Sequence, residues 1–172
     1  LGANVVTTGA QIYTGATTVS ADISLKNTNS NVTFSAALDS DGTPRDLTID
    51  TGGNTGTVLI SAVVGQTNDF DVIAITGNLD LDADIGADNF SAAGATSISV
   101  SGASNLGKDV TTSGTQTYTG AVTLSGEAIN LKGTTIQFGS TVAGGTQNLK
   151  VDGIMDLNGA ITDVAILEVT GA

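Results

Sequence analysis

Leu106–Ser125 reads LGKDVTTSGTQTYTGAVTLS and Leu1–Ser20 reads LGANVVTTGAQIYTGATTVS. Twelve of the twenty positions agree, and Tyr13 falls on Tyr118 at an offset of 105 residues. The likeness continues with small insertions and deletions. Ile23-Ser-Leu25-Lys26 answers Ile129-Asn-Leu131-Lys132, Val32-Thr-Phe34 answers Ile136-Gln-Phe138, and Asp46-Leu-Thr-Ile-Asp50 answers Asn148-Leu-Lys-Val-Asp152. Near the end, Val169-Thr-Gly171 resembles Ile75-Thr-Gly77. This divides the chain into a first long unit, residues 1–105, and a second, shorter unit of the same architecture, residues 106–172. The chain begins at Leu1 rather than Met, and we expect it to be part of a longer protein containing more such units.

A finer rhythm runs beneath the long repeat. Apolar pairs separated by one residue recur throughout, among them Ile23/Leu25, Val32/Phe34, Leu47/Ile49, Val58/Ile60, Ile73/Ile75, Leu79/Leu81, Ile98/Val100, Ile129/Leu131 and Leu149/Val151. Strand side chains alternate between two faces, so each pair predicts a short strand with one buried side. Gly, Asn, Asp and Ser fill the gaps and suit tight corners. No segment keeps a helical period, and the Gly and β-branched content disfavours helix. Many strand starts lie six or seven residues apart, for example Thr17 to Ile23 and Val122 to Ile129. Short strands joined by tight corners predict an all-β, right-handed parallel β-helix (a β-solenoid) with coils on the order of 20 residues. About eight coils would form a rod on the order of 40 Å long. The alternative is a tandem antiparallel β-sandwich with units near 100 residues. Against it stand the short strands, the single Pro and the absence of Trp.

Composition narrows the chemistry. The 172 residues include no Cys and no His, which excludes Ser-His-Asp triads, Cys-His dyads, imidazole zinc sites and thiolate sites built from this chain alone. The formal charge of −12, with five Lys and Arg, argues against nucleic acid and anionic lipid as partners. There is no run of eighteen apolar residues, so membrane insertion through a helix is not expected.

The segment Val110–Gly126 (VTTSGTQTYTGAVTLSG), followed by INLKGTTIQFGSTV and NLKVDG, resembles the long β-strand repeats of filamentous-haemagglutinin-type bacterial exoproteins. The most specific element is Thr-Gly-Xaa-Gln-Xaa-Tyr-Thr-Gly-Ala at Thr8–Ala16, repeated with Ser in first place at Ser113–Ala121. The resemblance covers most of the chain. It implies a right-handed parallel β-helix, secretion to the cell surface or extracellular space, and a stalk role in an adhesin-like protein.

Candidate sites are few. Asp80, Asp82 and Asp84 alternate with apolar residues, which predicts three carboxylates on the outward side of one strand and makes them candidate Ca²⁺ ligands. No EF-hand follows, because Ile85 and Ser91 stand where Gly and Glu are required. Carboxylates on alternate strand positions lie roughly 6.6 Å apart, so a solvated strand face explains them more simply and no cofactor is required. Asp39-Ser-Asp41-Gly42 and Asp69-Phe-Asp71 are weaker acidic candidates of the same kind, and the Asp-Gly of the first suits a turn. The loop Leu38–Asp46 carries Pro44 and Arg45, the sole Pro and Arg, and has a shorter counterpart near Val142–Thr146. Insertions on solenoids tend to gather on a binding face, so Pro44 and Arg45 are candidate interaction residues. Tyr13 and Tyr118 are candidates for stacking on a sugar ring. A repeated structural position, with Tyr covering a coil edge and Gln11 and Gln116 hydrogen-bonding along the stack, is the simpler account. Phe34 and Phe138 read as core. Asn31-Val-Thr33 and Asn89-Phe-Ser91 match the glycosylation sequon.

The expectation is a non-catalytic stalk segment of a large secreted bacterial cell-surface protein. Its partners would be neighbouring repeats of the same chain or further copies of itself, and a host or cell-surface glycan or protein. The competing reading is a subunit of a self-assembling extracellular filament joined through open end-coils. A polysaccharide-binding or polysaccharide-degrading β-helix is the third. A lyase of that kind wants a basic cleft, which five dispersed cations do not supply, and Glu is confined to Glu127 and Glu168.

Overall fold

The computed structural model describes residues 1–86 and 93–171. Its twenty strands wind around three faces, and every pairing is parallel. The first face stacks β1 (Val5–Val6), β4 (Ile23–Lys26), β7 (Leu47–Asp50), β9 (Phe70–Thr76), β11 (Ala95–Val100) and β14 (Thr115–Tyr118). It ends with the second halves of β16 (Ala128–Phe138) and β18 (Asn148–Leu157). The second face stacks β2 (Gln11–Tyr13), β5 (Val32–Phe34), β8 (Thr57–Ile60), β10 (Asn78–Leu81), β12 (Ser104–Leu106), β15 (Val122–Leu124), β17 (Val142–Ala143) and β19 (Ile161–Thr162). The third begins with β3 (Thr17–Val19) and β6 (Leu38–Ser40) and thins to single bridges at Val64 and Ile85. It resumes with β13 (Val110–Thr111), the first halves of β16 and β18, and β20 (Ile166–Val169).

The chain is therefore an eight-rung, right-handed parallel β-solenoid, and the antiparallel sandwich is ruled out. One column shows the winding: Val5, Leu25, Ile49, Ile75, Val100, Tyr118, Phe138 and Leu157 pair in succession, giving rungs of 20, 24, 26, 25, 18, 20 and 19 residues. The longer middle rungs carry the loops 41–46 and 61–69.

The apolar pairs read from the sequence line the interior. From Ile23/Leu25 to Leu149/Val151 both members of each pair are buried, so every rung supplies side chains to a continuous ladder of Val, Ile, Leu and Phe. Each such side chain contributes about 1.5–3 kcal/mol when withdrawn from water. Among the described residues the apolar side chains packed on the core lose burial at the two end rungs. Leu1, Val5, Tyr13 and Ala21 in the first rung, and Met155, Leu157, Ile161 and Val164 in the last, pack against the core while remaining partly exposed.

Strands β16 and β18 turn a corner without breaking, and their register shifts between Lys132 and Thr135. Glycine makes this possible. Gly153 has φ 154°, and a Cβ there would lie 2.1 Å from the Gly133 carbonyl oxygen one rung below.

The two units are equivalent in sequence but not in position. Tyr13 stands on the second face and Tyr118 on the first. The same shift holds along the repeat: Leu47/Ile49 is on the first face and Leu149/Val151 on the third, Val32/Phe34 on the second and Ile136/Phe138 on the first. From β2 to β14 the chain passes fourteen faces, four turns and two-thirds. The repeat therefore does not close on a whole number of turns. It is tolerated because the three corners are geometrically interchangeable.

Candidate functional site

The duplicated Gln-Xaa-Tyr element builds a corner with a polar interior. Gln116 is fully buried. Its Nε2 donates to Val110 O (2.9 Å) in the preceding strand and to Lys132 O (2.8 Å) on the next rung, and its Oε1 accepts from the Tyr118 hydroxyl (3.1 Å). Gln11 repeats the pattern on a different face, donating to Lys26 O (2.9 Å) and accepting from Tyr13 Oη (2.9 Å). Thr112 Oγ1 and Thr7 Oγ1 close the two corners by donating to Gly114 O and Gly9 O. Tyr118 stacks on Phe138 with ring centroids 5.8 Å apart, and Tyr13 on Phe34 at 5.0 Å. Tyr118 is core, and Tyr13 packs against the core while partly exposed. Tyr118 is completely buried, which puts it out of reach of a sugar, and burial pushes both phenols above their ordinary pKa. Tyr13 keeps partial exposure, with no strand paired below β2 among the described residues.

The acidic segment divides at a corner. The strand ends at Leu81, so Asp80 alone sits on β10 while Asp82 and Asp84 fall in the following bend. The expected single strand face carrying all three carboxylates is not formed. Asp80 Oδ1 accepts from Asn105 Nδ2 on the next rung (2.9 Å), and Asp84 Oδ1 from the Asp109 backbone N–H (3.0 Å). Asp88 and the Asn89 sequon lie outside the described residues. Among the described residues no group of three or more acidic side chains is placed to hold a metal ion.

The Asp84 contact belongs to a device not read from the sequence. At the corners an Asn or Asp carboxamide or carboxylate oxygen accepts a backbone N–H from the rung above: Asn4 from Ser24 (2.8 Å), Asp22 from Asp46 (3.1 Å), Asn31 from Thr57 (3.0 Å), Asn78 from Ala103 (2.9 Å) and Asp109 from Asn130 (2.7 Å). Asn4 and Asp109 are equivalent positions in the long repeat. The signal was present as Asx residues recurring beside turns, but spacing alone does not say that they bond upward rather than locally. Asp109 is half-withdrawn from water, and burial raises its pKa against the lowering effect of the Asn130 hydrogen bonds. It lines, with Asp84, Lys108 and Glu127, an open groove of about 400 Å³.

The loop after β6 is held by its own charges. Arg45 Nε and Nη2 make a fork to both oxygens of Asp41 (2.9 and 2.8 Å), and that contact holds the Asp41 carboxyl below the usual range. Pro44 lines a shallow depression of about 270 Å³ with Ser40, Gly42, Thr67, Asn68 and Asp69. Outside, cross-rung pairs decorate the faces: Lys26–Asp50 (2.8 Å), Lys150–Glu168 (3.2 Å) and the chain Thr117–Gln137–Asp156 (3.1 and 3.3 Å). Among the described residues no helix is long and apolar enough to cross a membrane.

The chain matches no protein-family model, no curated protein and no solved structure. What it belongs to by direct observation is the class of parallel β-solenoids.

Proposed function

We propose that this chain is a non-catalytic stalk segment of a large secreted bacterial cell-surface protein, one that holds a distal adhesive site away from the cell. The observation carrying the reading is the unbroken parallel stack of eight rungs over one apolar ladder. Adjacent rungs sit about 4.8 Å apart, so the axis is about 34 Å long, and each added rung lengthens the rod without needing a new core. The resemblance of Val110–Gly126 to exoprotein repeats supplies the surface and adhesin setting. The acidic, Thr- and Asn-rich exterior suits a rod that must stay apart from its neighbours.

The test uses intact cells that make the full parent protein. An antibody raised against residues 1–172 should label them without permeabilisation. Labelling that appears only after lysis overturns the surface reading. A reducing-sugar assay over a panel of acidic polysaccharides should stay at background, and turnover there overturns the non-catalytic part.

A further inference from the structure

The corner between β4 and β5 ends in the sequon Asn31-Val-Thr33, which the stalk reading leaves unused. β5 is paired on both sides, with β2 below and β8 above, so strands of this chain set the surroundings of the sequon. Val32 and Phe34 are buried in the ladder. Strand side chains alternate, so Asn31 and Thr33 share the outward side, roughly 6.6 Å apart along the strand. Asn31 is exposed and Thr33 partly so. The Asn31 carboxamide is anchored by its oxygen: Oδ1 accepts the Thr57 N–H from the rung above (3.0 Å). Its backbone carbonyl accepts the Gln11 N–H (3.0 Å) and Asn27 Nδ2 (3.3 Å). Nδ2 itself meets no acceptor among the described residues, and Thr33 Oγ1 no partner there. Other asparagines that bond to the rung above lack this combination. Asn78 gives its Nδ2 to Asn54 O (3.0 Å) and has Asp80 two places on, while Asn4 has Val6. In the second unit Thr135 and Gln137 stand at the equivalent positions.

We propose that Asn31 is an N-glycosylation site, its Nδ2 taking a sugar from a donor activated as a diphosphate ester. Asn-Xaa-Thr is the acceptor motif for this linkage, and it works where the asparagine is on the surface. In the transfer, Nδ2 bonds to the anomeric carbon of the sugar. The bond from that carbon to the diphosphate oxygen breaks, and the diphosphate leaves with the electron pair. One Nδ2 proton passes to a base of the transferase. The second proton and Oδ1 remain, so the product amide still accepts the Thr57 N–H and the contact between rungs survives. Asn31 is thus both a rung-to-rung acceptor and a free nitrogen, and the modification uses only the second. The geometry of this corner is the same whether or not the chain serves as a stalk.

The test is peptide mapping, by mass spectrometry, of the full protein isolated from the cells that make it. Cleavage after Lys26 and Arg45 releases peptide 27–45, which holds Asn31 and is separate from the sequon at Asn89, outside the described residues. Peptide 27–45 should carry added sugar mass, and fragmentation should place it on Asn31. Stepwise addition of single sugars identifies a nucleotide-linked donor, and one fixed oligosaccharide a lipid-linked donor; either supports the proposal. A wholly unmodified peptide overturns it, as does sugar found on a serine or threonine instead. Two variants made in the same cells test recognition. Thr33→Ala leaves Asn31 and its Thr57 contact in place and should lose the sugar completely, while Thr33→Ser should keep it. Sugar retained in Thr33→Ala overturns the assignment. The glycosylated protein should melt no lower than the unmodified chain, and a clear fall in Tm would contradict a nitrogen free of the fold.

Discussion

The hydroxyl of Tyr118 donates to Oε1 of Gln116 across 3.1 Å, and neither side chain touches water. The two residues stand two positions apart on β14. Gln116 fixes the carbonyls of Val110 and Lys132, while Tyr118 stacks on Phe138, so one hydrogen bond links corner geometry to core packing. Gln116→Leu roughly keeps the volume and leaves the buried Tyr118 phenol without its partner, while Lys132 O keeps the Thr112 N–H. Orphaning buried polar groups costs about 3 kcal/mol in such a case. In a chain of this size we expect Tm to fall by roughly 6–12 °C. Gln11→Leu, whose partner Tyr13 is only partly buried, should lower Tm by less than half as much. Equal losses in thermal melts would contradict the assigned difference in burial.

Alkaline pH should act on the same pair. Burial raises the Tyr118 pKa above that of the unfolded chain, near 10, so folding favours the neutral phenol. Its contribution is complete below about pH 10 and is lost as pH rises above that value, at about 1.4 kcal/mol per pH unit for one proton. Tyr118→Phe should flatten the decline of stability between about pH 10 and 12, as read from urea melts at stepped pH. Identical slopes in the two proteins would sink this.

Asp109 gives a lever of the same sign in the acid range; its equivalent in the first unit is Asn4, and both accept an N–H from the rung above. Burial raises the Asp109 pKa, and the Asp84 charge adds to it. The protonated form is thus favoured by folding. That stability is fully present below about pH 3.9 and lost as pH climbs through the folded value. Asp109→Asn should therefore raise Tm at pH 7 by about 2–4 °C and give no gain at pH 3. A gain of equal size at both pH values would show that charge is not the cause.

Ser104 occupies an inward column between Leu79 and Val122, and its hydroxyl has no hydrogen-bond partner at 2% exposure. Ser104→Val restores the apolar ladder and removes a desolvated donor, which should stabilise the protein by about 1 kcal/mol. Chemical denaturation gives the value directly, and a loss of stability would mean that the column lacks room for the extra methyl groups.

The winding was legible because it depends on a period of two, which the apolar pairs display without interruption. Ile23/Leu25 and Leu149/Val151 face inward for the same reason, although more than a hundred residues separate them. Corners were harder. The alternation from Leu79 to Ile85 reads as one strand, yet the chain bends after Leu81. Rungs of unequal length carry no periodic mark of where one face ends. Cross-rung contacts such as Asn78 to Ala103 join residues a full turn apart, and a sequence fixes that distance only once the turn length is known. The tyrosines recur at equivalent positions of the two units, but their burial depends on Phe34 and Phe138 lying one rung above, which spacing alone did not establish.

The mismatch between the 105-residue unit and the turn has a consequence for how such a shaft can evolve. Whatever one unit displays on its flank, its duplicate displays a third of a revolution away, and successive copies of the full 105-residue length would each turn it a third further. Copying a segment therefore distributes its ornaments spirally. Whole-unit duplication lengthens the shaft while spreading any bump, charge pair or sequon evenly around its circumference, so no side becomes crowded.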